Sequence, residues 1–136
     1  MGFVLRVAVI DPHSALRAGL AVLLRSEPGL TFAGGAATEA QGLELLARRR
    51  VDVVVVDPEL LGPDGLPYCR RLKELERAPR VVVYTAAAGE PAYAMGAEVA
   101  GADAVVDKAA PGEELFEAIR RAGRSAGVLP ALEPAA

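Results

Sequence analysis

Residues 51–57 read VDVVVVD, four consecutive valines with an aspartate directly on either side. An unbroken apolar run of strand length, with no polar residue alternating through it, is the pattern of a strand buried on both faces, as in a parallel sheet. Working outward, Val51 to Val56 ends at Asp57, Val4 to Ile10 at Asp11, Arg80 to Tyr84 at Thr85, and Ala104 to Val106 at Asp107 and Lys108. A shorter run, Leu30 to Ala33, supplies a fifth and weaker strand, and Gly34 and Gly35 after it read as a turn.

Helical spacing fills the intervals. Leu16, Leu20, Leu23 and Leu24 form one apolar stripe, Ala40, Leu43, Leu46 and Ala47 a second, and Leu72 with Leu75 a third. Leu115, Ala118, Ile119 and Ala122 form the last, with Pro111 at its start and Glu113 and Glu114 in a first turn whose dipole favours acids. The stretch from Glu90 to Val99 is less regular and carries Gly96, but a crossover must stand there to join two parallel strands. Five strands alternating with five helices in 136 residues predict one open, doubly wound α/β domain with sheet order 2-1-3-4-5. The domain is expected over residues 1–124, with a linker or tail over 125–136, where Gly127, Pro130 and Pro134 interrupt any period.

Composition narrows the function. Fifteen Lys and Arg against eighteen Asp and Glu leave a net charge of −3, which argues against a basic nucleic-acid face. Arg48, Arg49 and Arg50 close a helix, where cations suit the dipole. No apolar run approaches the roughly 20 residues of a membrane span, and the first residues carry no export or lipidation signal. The single Cys69 excludes an internal disulfide and fits a cytoplasmic protein.

In open parallel sheets, functional groups gather beyond the carboxyl ends of the strands where strand order reverses. Asp11, Asp57, Thr85 and Lys108 would converge there. Two carboxylates, a hydroxyl and an ammonium suit phosphoryl transfer to a carboxylate: one acid attacks, the hydroxyl donates a hydrogen bond, and cations offset charge on the phosphoryl oxygens. Asp57, at the end of the most apolar strand, is the expected nucleophile. For Asp11, followed by Pro12, a metal role and a plain helix N-cap stand side by side. The lone His13 is read as a surface or capping residue.

At these residues the chain resembles the receiver domain of bacterial two-component response regulators, the CheY-like fold, and most of all receivers of the NarL/LuxR type. The resemblance runs from about Val4 to Arg124 and rests on VAVIDPHSALRAGL (7–20), VDVVVVDPELLGPDGL (51–66), VVVYTA (81–86) and GADAVVDKAAPGEELFEAIR (101–120). It implies that Asp57 accepts phosphate from a histidine kinase, that Thr85 and Lys108 are the switch hydroxyl and the phosphate-pairing lysine, and that Asp11 helps bind Mg²⁺. Small Ala86 matches a position that leaves access to the phosphoryl group. The resemblance also implies a homodimer, with Arg17, Arg120 and Arg121 on candidate surfaces of the first and last helices. DNA would be reached only through an effector domain, and the sequence ends at Ala136 before one, as a single-domain protein or a piece of a longer one would.

Several positions depart from that pattern. Pro12 stands where the family has the acid that ligates the metal directly, so Mg²⁺ binding should weaken unless Glu59 reaches in beside Asp11 and Asp57. Pro58 and Leu61 are unusual in the loop after the acceptor, whose later part keeps Asp64 and Gly65. Val105 replaces the aromatic three residues before the lysine, and a β-branched side chain has no long rotamer swing to transmit. These departures make a pseudo-receiver, binding partners or itself without phosphorylation, the alternative function. A cobalamin-type motif fails at Leu16, where Gly is needed, and a phosphatase of the haloacid dehalogenase type fails at Glu59, where Asp is needed. The expected role is regulatory rather than enzymatic.

Overall fold

Side chains alternate across a strand, so the valine runs feed two opposite faces of one sheet. In the computed structural model, which describes residues 4–63 and 65–124, Val7, Val9, Val53, Val55 and Val82 share one half of the core. Ala8, Ile10, Val54, Val56, Val81 and Val83 share the other. The strands are β1 (Leu5–Ile10), β2 (Leu30–Ala36), β3 (Val53–Val56), β4 (Arg80–Thr85) and β5 (Ala104–Asp107). All pairings are parallel, in the order β2-β1-β3-β4-β5 that the sequence predicts.

Among the described residues, five α-helices cover the faces. α1 (Ser14–Ser26) and α5 (Gly112–Arg124) close one side through Leu20, Leu24, Leu115, Phe116 and Ile119. α2 (Glu39–Arg48), α3 (Gly65–Lys73) and α4 (Pro91–Val99) close the other through Leu45, Tyr68, Cys69, Leu72 and Ala97. Thr38 caps α2 by accepting from the Gln41 N–H at 3.1 Å, and Gln41 Oε1 accepts from the Ala37 N–H at 2.9 Å. The tail predicted over residues 125–136, and Asp64 of the acceptor loop, lie outside the described residues.

Two sequence expectations change. Gly34 and Gly35 are not a turn: they lie inside β2, which at seven residues is the longest strand and not the weakest. The register against β1 shifts between Val7 and Ala8, and Gly34 takes φ 147° with Leu45 close above it, so glycine serves a bulge under a helix. Asp11 is not a helix cap either. The N-cap of α1 is His13, and Asp11 is left free for other partners.

Candidate functional site

The register of the sheet builds the site from the backbone upward. Ile10 and Val83 both pair with Val56, so Asp11 and Asp57 leave adjacent strands at the same level. The ladder continues one step past the strands: Asp11 N–H donates to Ala36 O at 2.9 Å and Asp57 N–H to Ile10 O at 3.4 Å. On the other side, Lys108 N–H donates to Thr85 O at 3.1 Å, fixing the lysine beside the end of β4. Four residues distant in sequence therefore meet at one edge, as the strand ends predict.

Asp11 and Asp57 are each 2 % exposed, and Thr85 is fully buried. A buried carboxylate needs a counter-charge and donors to hold its oxygens. Lys108 supplies the charge for both, with Nζ 2.8 Å from Asp11 Oδ2 and 2.8 Å from Asp57 Oδ2. Burial alone would lower the lysine pKa; the hydrogen bonds to Asp11 and Asp57 and their two charges outweigh it, and the net shift is upward. Lys108 is thus firmly an ammonium at neutral pH.

The remaining carboxylate oxygens are also engaged. Asp57 Oδ1 accepts from the Glu59 N–H at 3.1 Å, so the aspartate caps the short 3₁₀ turn Pro58–Leu61. Pro58 costs nothing at the start of that turn, where its N–H would be unused. Asp11 Oδ1 accepts from the His13 N–H at 2.8 Å and lies 3.2 Å from His13 Nδ1. Expected to be a surface or capping residue, His13 is the N-cap of α1, and it also lies beside Asp11, as two residues of separation permit. Thr85 Oγ1 accepts from the Ala87 N–H at 3.2 Å, which leaves the hydroxyl proton to donate. Ala86, next to it, is exposed.

The donor set does not fit a ready-made Mg²⁺ site. Two carboxylates with waters would serve a hard cation, but the two oxygens that converge here converge on Lys108. Pro12 offers no anionic oxygen, and Glu59 is exposed and reaches Asp57 through its backbone N–H. Among the described residues no group of three His, Cys, Asp or Glu has the placement of a metal site. A divalent cation would have to displace the ammonium.

Away from the pocket, two of the three candidate surface arginines have internal partners. Arg17 Nη1 donates to Asp11 O at 2.8 Å, and Arg120 Nη2 pairs with Glu27 Oε1 at 2.8 Å and Pro28 O at 3.1 Å, while Arg121 is exposed. Val105 packs in the half of the core that α4 covers.

The family model described as "Response regulator receiver domain" matches residues 7–120. The chain is 32% identical over 126 residues to the DNA-binding transcriptional activator DevR/DosR of Mycobacterium tuberculosis, covering 91% of this chain and 57% of that protein. It is 30% identical over 123 residues to the nitrate/nitrite response regulator protein NarL of Escherichia coli K12, covering 90% of this chain and 56% of that one. It thus spans little more than half the length of these relatives. The receiver domain of the NarL response regulator of Mycobacterium tuberculosis superposes with a TM-score of 0.81 at 27% identity, over 91% of this chain and 99% of that domain.

Proposed function

Because the chain belongs to the response regulator receiver family, we propose that it is a phosphoryl-accepting switch whose acceptor is Asp57 and whose donor is a histidine kinase. One observation carries the reading: Asp11, Asp57, Thr85 and Lys108 meet at the carboxyl edge of the sheet, with Lys108 Nζ 2.8 Å from both carboxylates. The Glu59 N–H holds Asp57 Oδ1 and fixes the carboxylate, leaving Oδ2 as the nucleophile. Oδ2 attacks phosphorus, the new P–O bond forms as the P–N bond to the donor imidazole breaks, and the donor nitrogen keeps the electron pair and takes a proton. Lys108 moves with the charge, pairing with the phosphoryl oxygens instead of Oδ2, and the free Thr85 hydroxyl proton donates to one of them. Asp11 keeps a partner throughout, since Lys108 and His13 both face it.

The output is proposed to be transcriptional, through an effector domain of the kind the NarL-type resemblance implies, with DNA contacted by that domain and a homodimer formed through α1 and α5. Among the described residues no helix is long and apolar enough to cross a membrane, which supports a cytoplasmic setting. The receiver itself is a regulatory module with no hydrolytic role.

The test is intact-protein mass after incubation with acetyl phosphate, with Mg²⁺ and with a chelator, beside Asp57→Asn. A gain of about 80 Da, absent in the variant, is the expected result. No adduct from a folded protein that still self-associates would overturn it in favour of a constitutive pseudo-receiver. That second reading draws support from the same ammonium, which already neutralises the acid pair as a permanent structural bridge would.

A further inference from the structure

Tyr93 stands in the first turn of α4, and its buried hydroxyl donates its proton to no acceptor among the described residues. An unmade hydrogen bond on an enclosed polar atom costs free energy that Phe at this position would avoid. The other buried phenol in this half of the core shows the contrast, since Tyr68 Oη donates to Glu39 O at 3.0 Å.

The surroundings of Tyr93 indicate what would use the proton. Its ring belongs to the core half that includes Val56, directly before Asp57, together with Leu61 of the acceptor loop and Val105. Burial pushes its pKa upward most strongly, and the negative charges of Asp57 and Glu59 act in the same direction, against a smaller opposing hydrogen bond from the Glu59 backbone N–H. That amide is already committed to Asp57 Oδ1. The phenol is therefore neutral, close to the acceptor loop, and holds an undonated proton.

Its helix is also tied to the switch hydroxyl. Thr85 Oγ1 accepts from Ala87 N–H, Ala87 O accepts from Glu90 N–H at 3.0 Å, and Glu90 O accepts from Ala94 N–H at 3.0 Å, one residue beyond Tyr93. α4 is lightly anchored: Ala97 is its only buried residue, Met95 and Val99 are 66% and 71% exposed, and Glu90 gives no side-chain cap. A small pull at its first turn can move it.

From the undonated proton of this buried hydroxyl, its place beside the acceptor loop and the loose seating of its helix, we infer that Tyr93 is a phosphoryl-binding residue: its O–H donates to the phosphoryl group on Asp57 and draws the first turn of α4 toward it. This rests on Asp57 being a phosphoacceptor. The valine at position 105 leaves the task to a side chain from a different element.

The experiment uses beryllofluoride with Mg²⁺ as the phosphoryl mimic and tyrosine absorbance as the readout, since the chain has three Tyr and no Trp. The unmodified protein, Tyr93→Phe and Tyr84→Phe are titrated, and all three are labelled with acetyl phosphate. The expected result is a tyrosine spectral shift on binding that survives Tyr84→Phe and vanishes in Tyr93→Phe. Affinity for the mimic should fall roughly tenfold or more in Tyr93→Phe, the scale of one hydrogen bond to a charged group. Without the mimic, Tyr93→Phe should melt no lower than the unmodified protein. Labelling that persists in Tyr93→Phe with unchanged affinity and spectrum overturns the inference alone. Absence of labelling and of mimic binding in the unmodified protein overturns it together with the phosphoacceptor reading, and a Tyr93→Phe protein that fails to fold assigns the hydroxyl to stability and also overturns it.

Discussion

Replacing Lys108 by Met removes one charge and leaves two carboxylates, each 2 % exposed, facing each other across the gap the ammonium filled. At separations of about 4–5 Å and an effective dielectric constant of about 20, two like unit charges repel by roughly 3–4 kcal/mol. Stripping one partner from a buried ion pair costs about 3–5 kcal/mol. Lys108 is 20% exposed, so water reaches the cluster and softens both figures. The expected loss is about 2–4 kcal/mol at neutral pH, measured by urea unfolding followed by far-ultraviolet circular dichroism in the presence of a chelator. The same deletion frees Asp11 Oδ2 and Asp57 Oδ2 to face a divalent cation. Millimolar Mg²⁺ should then restore part of the stability of Lys108→Met while adding little to the unmodified protein. A loss under about 0.5 kcal/mol, or equal stabilisation of both proteins by Mg²⁺, would refute the assignment of Lys108 as the resident counter-ion of the acid pair.

Glycine substitutions should separate by their surroundings. A Cβ at Gly65 would lie 1.9 Å from Pro58 O, a backbone atom of the acceptor turn, so Gly65→Ala should cost about 3 kcal/mol or more and slow labelling of Asp57. Gly19, inside α1 with nothing within 4 Å of a Cβ, should gain about 0.5–1 kcal/mol as Ala by helix propensity, read in the same urea titration. Buried Cys69 has its thiol pushed from 9.0 up to about 12, by burial first and by Glu39 second, so a thiol reagent at mildly alkaline pH should modify it only as fast as the protein unfolds. The sign for stability follows from the same shift: the unfolded thiol loses its proton near 9 while the folded one keeps it, so stability should fall as pH rises above about 9. Lys108, raised above 10.5, contributes fully below that value and is lost as pH passes its folded pKa, which adds to the same alkaline decline.

The strands were legible because Val7 to Ile10, Val53 to Val56 and Val81 to Tyr84 are buried on both faces and so appear as unbroken apolar runs. Strand ends then placed Asp11, Asp57, Thr85 and Lys108 near one another, because a parallel sheet aligns the carboxyl ends of its strands. Local context misled where a tertiary contact decided the outcome. Gly34 and Gly35 carry turn chemistry, but the overlying Leu45 needs a bare backbone in β2, and pairing with β1 overrides the turn. The Asp-Pro pair at 11 and 12 resembles a cap, yet the helix starts later because the carboxylate is committed to Lys108 and to the His13 N–H. The bridging of both acids by a single ammonium depends on side-chain reach and has no signature in spacing. Nor has Tyr93, for which the one hint was the missing aromatic at Val105.

The contact between His13 and Asp11 has a practical consequence. The chain contains one histidine, and its ring nitrogen sits 3.2 Å from an oxygen of the carboxylate that also binds Lys108. In a proton magnetic resonance spectrum taken after the amides are exchanged into D₂O, its imidazole Hε1 signal is a single line that needs no isotope labelling to assign, because the chain has one histidine. Any event that moves Lys108 off Asp11, whether a phosphoryl group on the neighbouring aspartate or a cation entering the pair, changes the field at that ring. The protein thus carries its own occupancy gauge, readable in a single one-dimensional experiment at the concentration used for any of the titrations above.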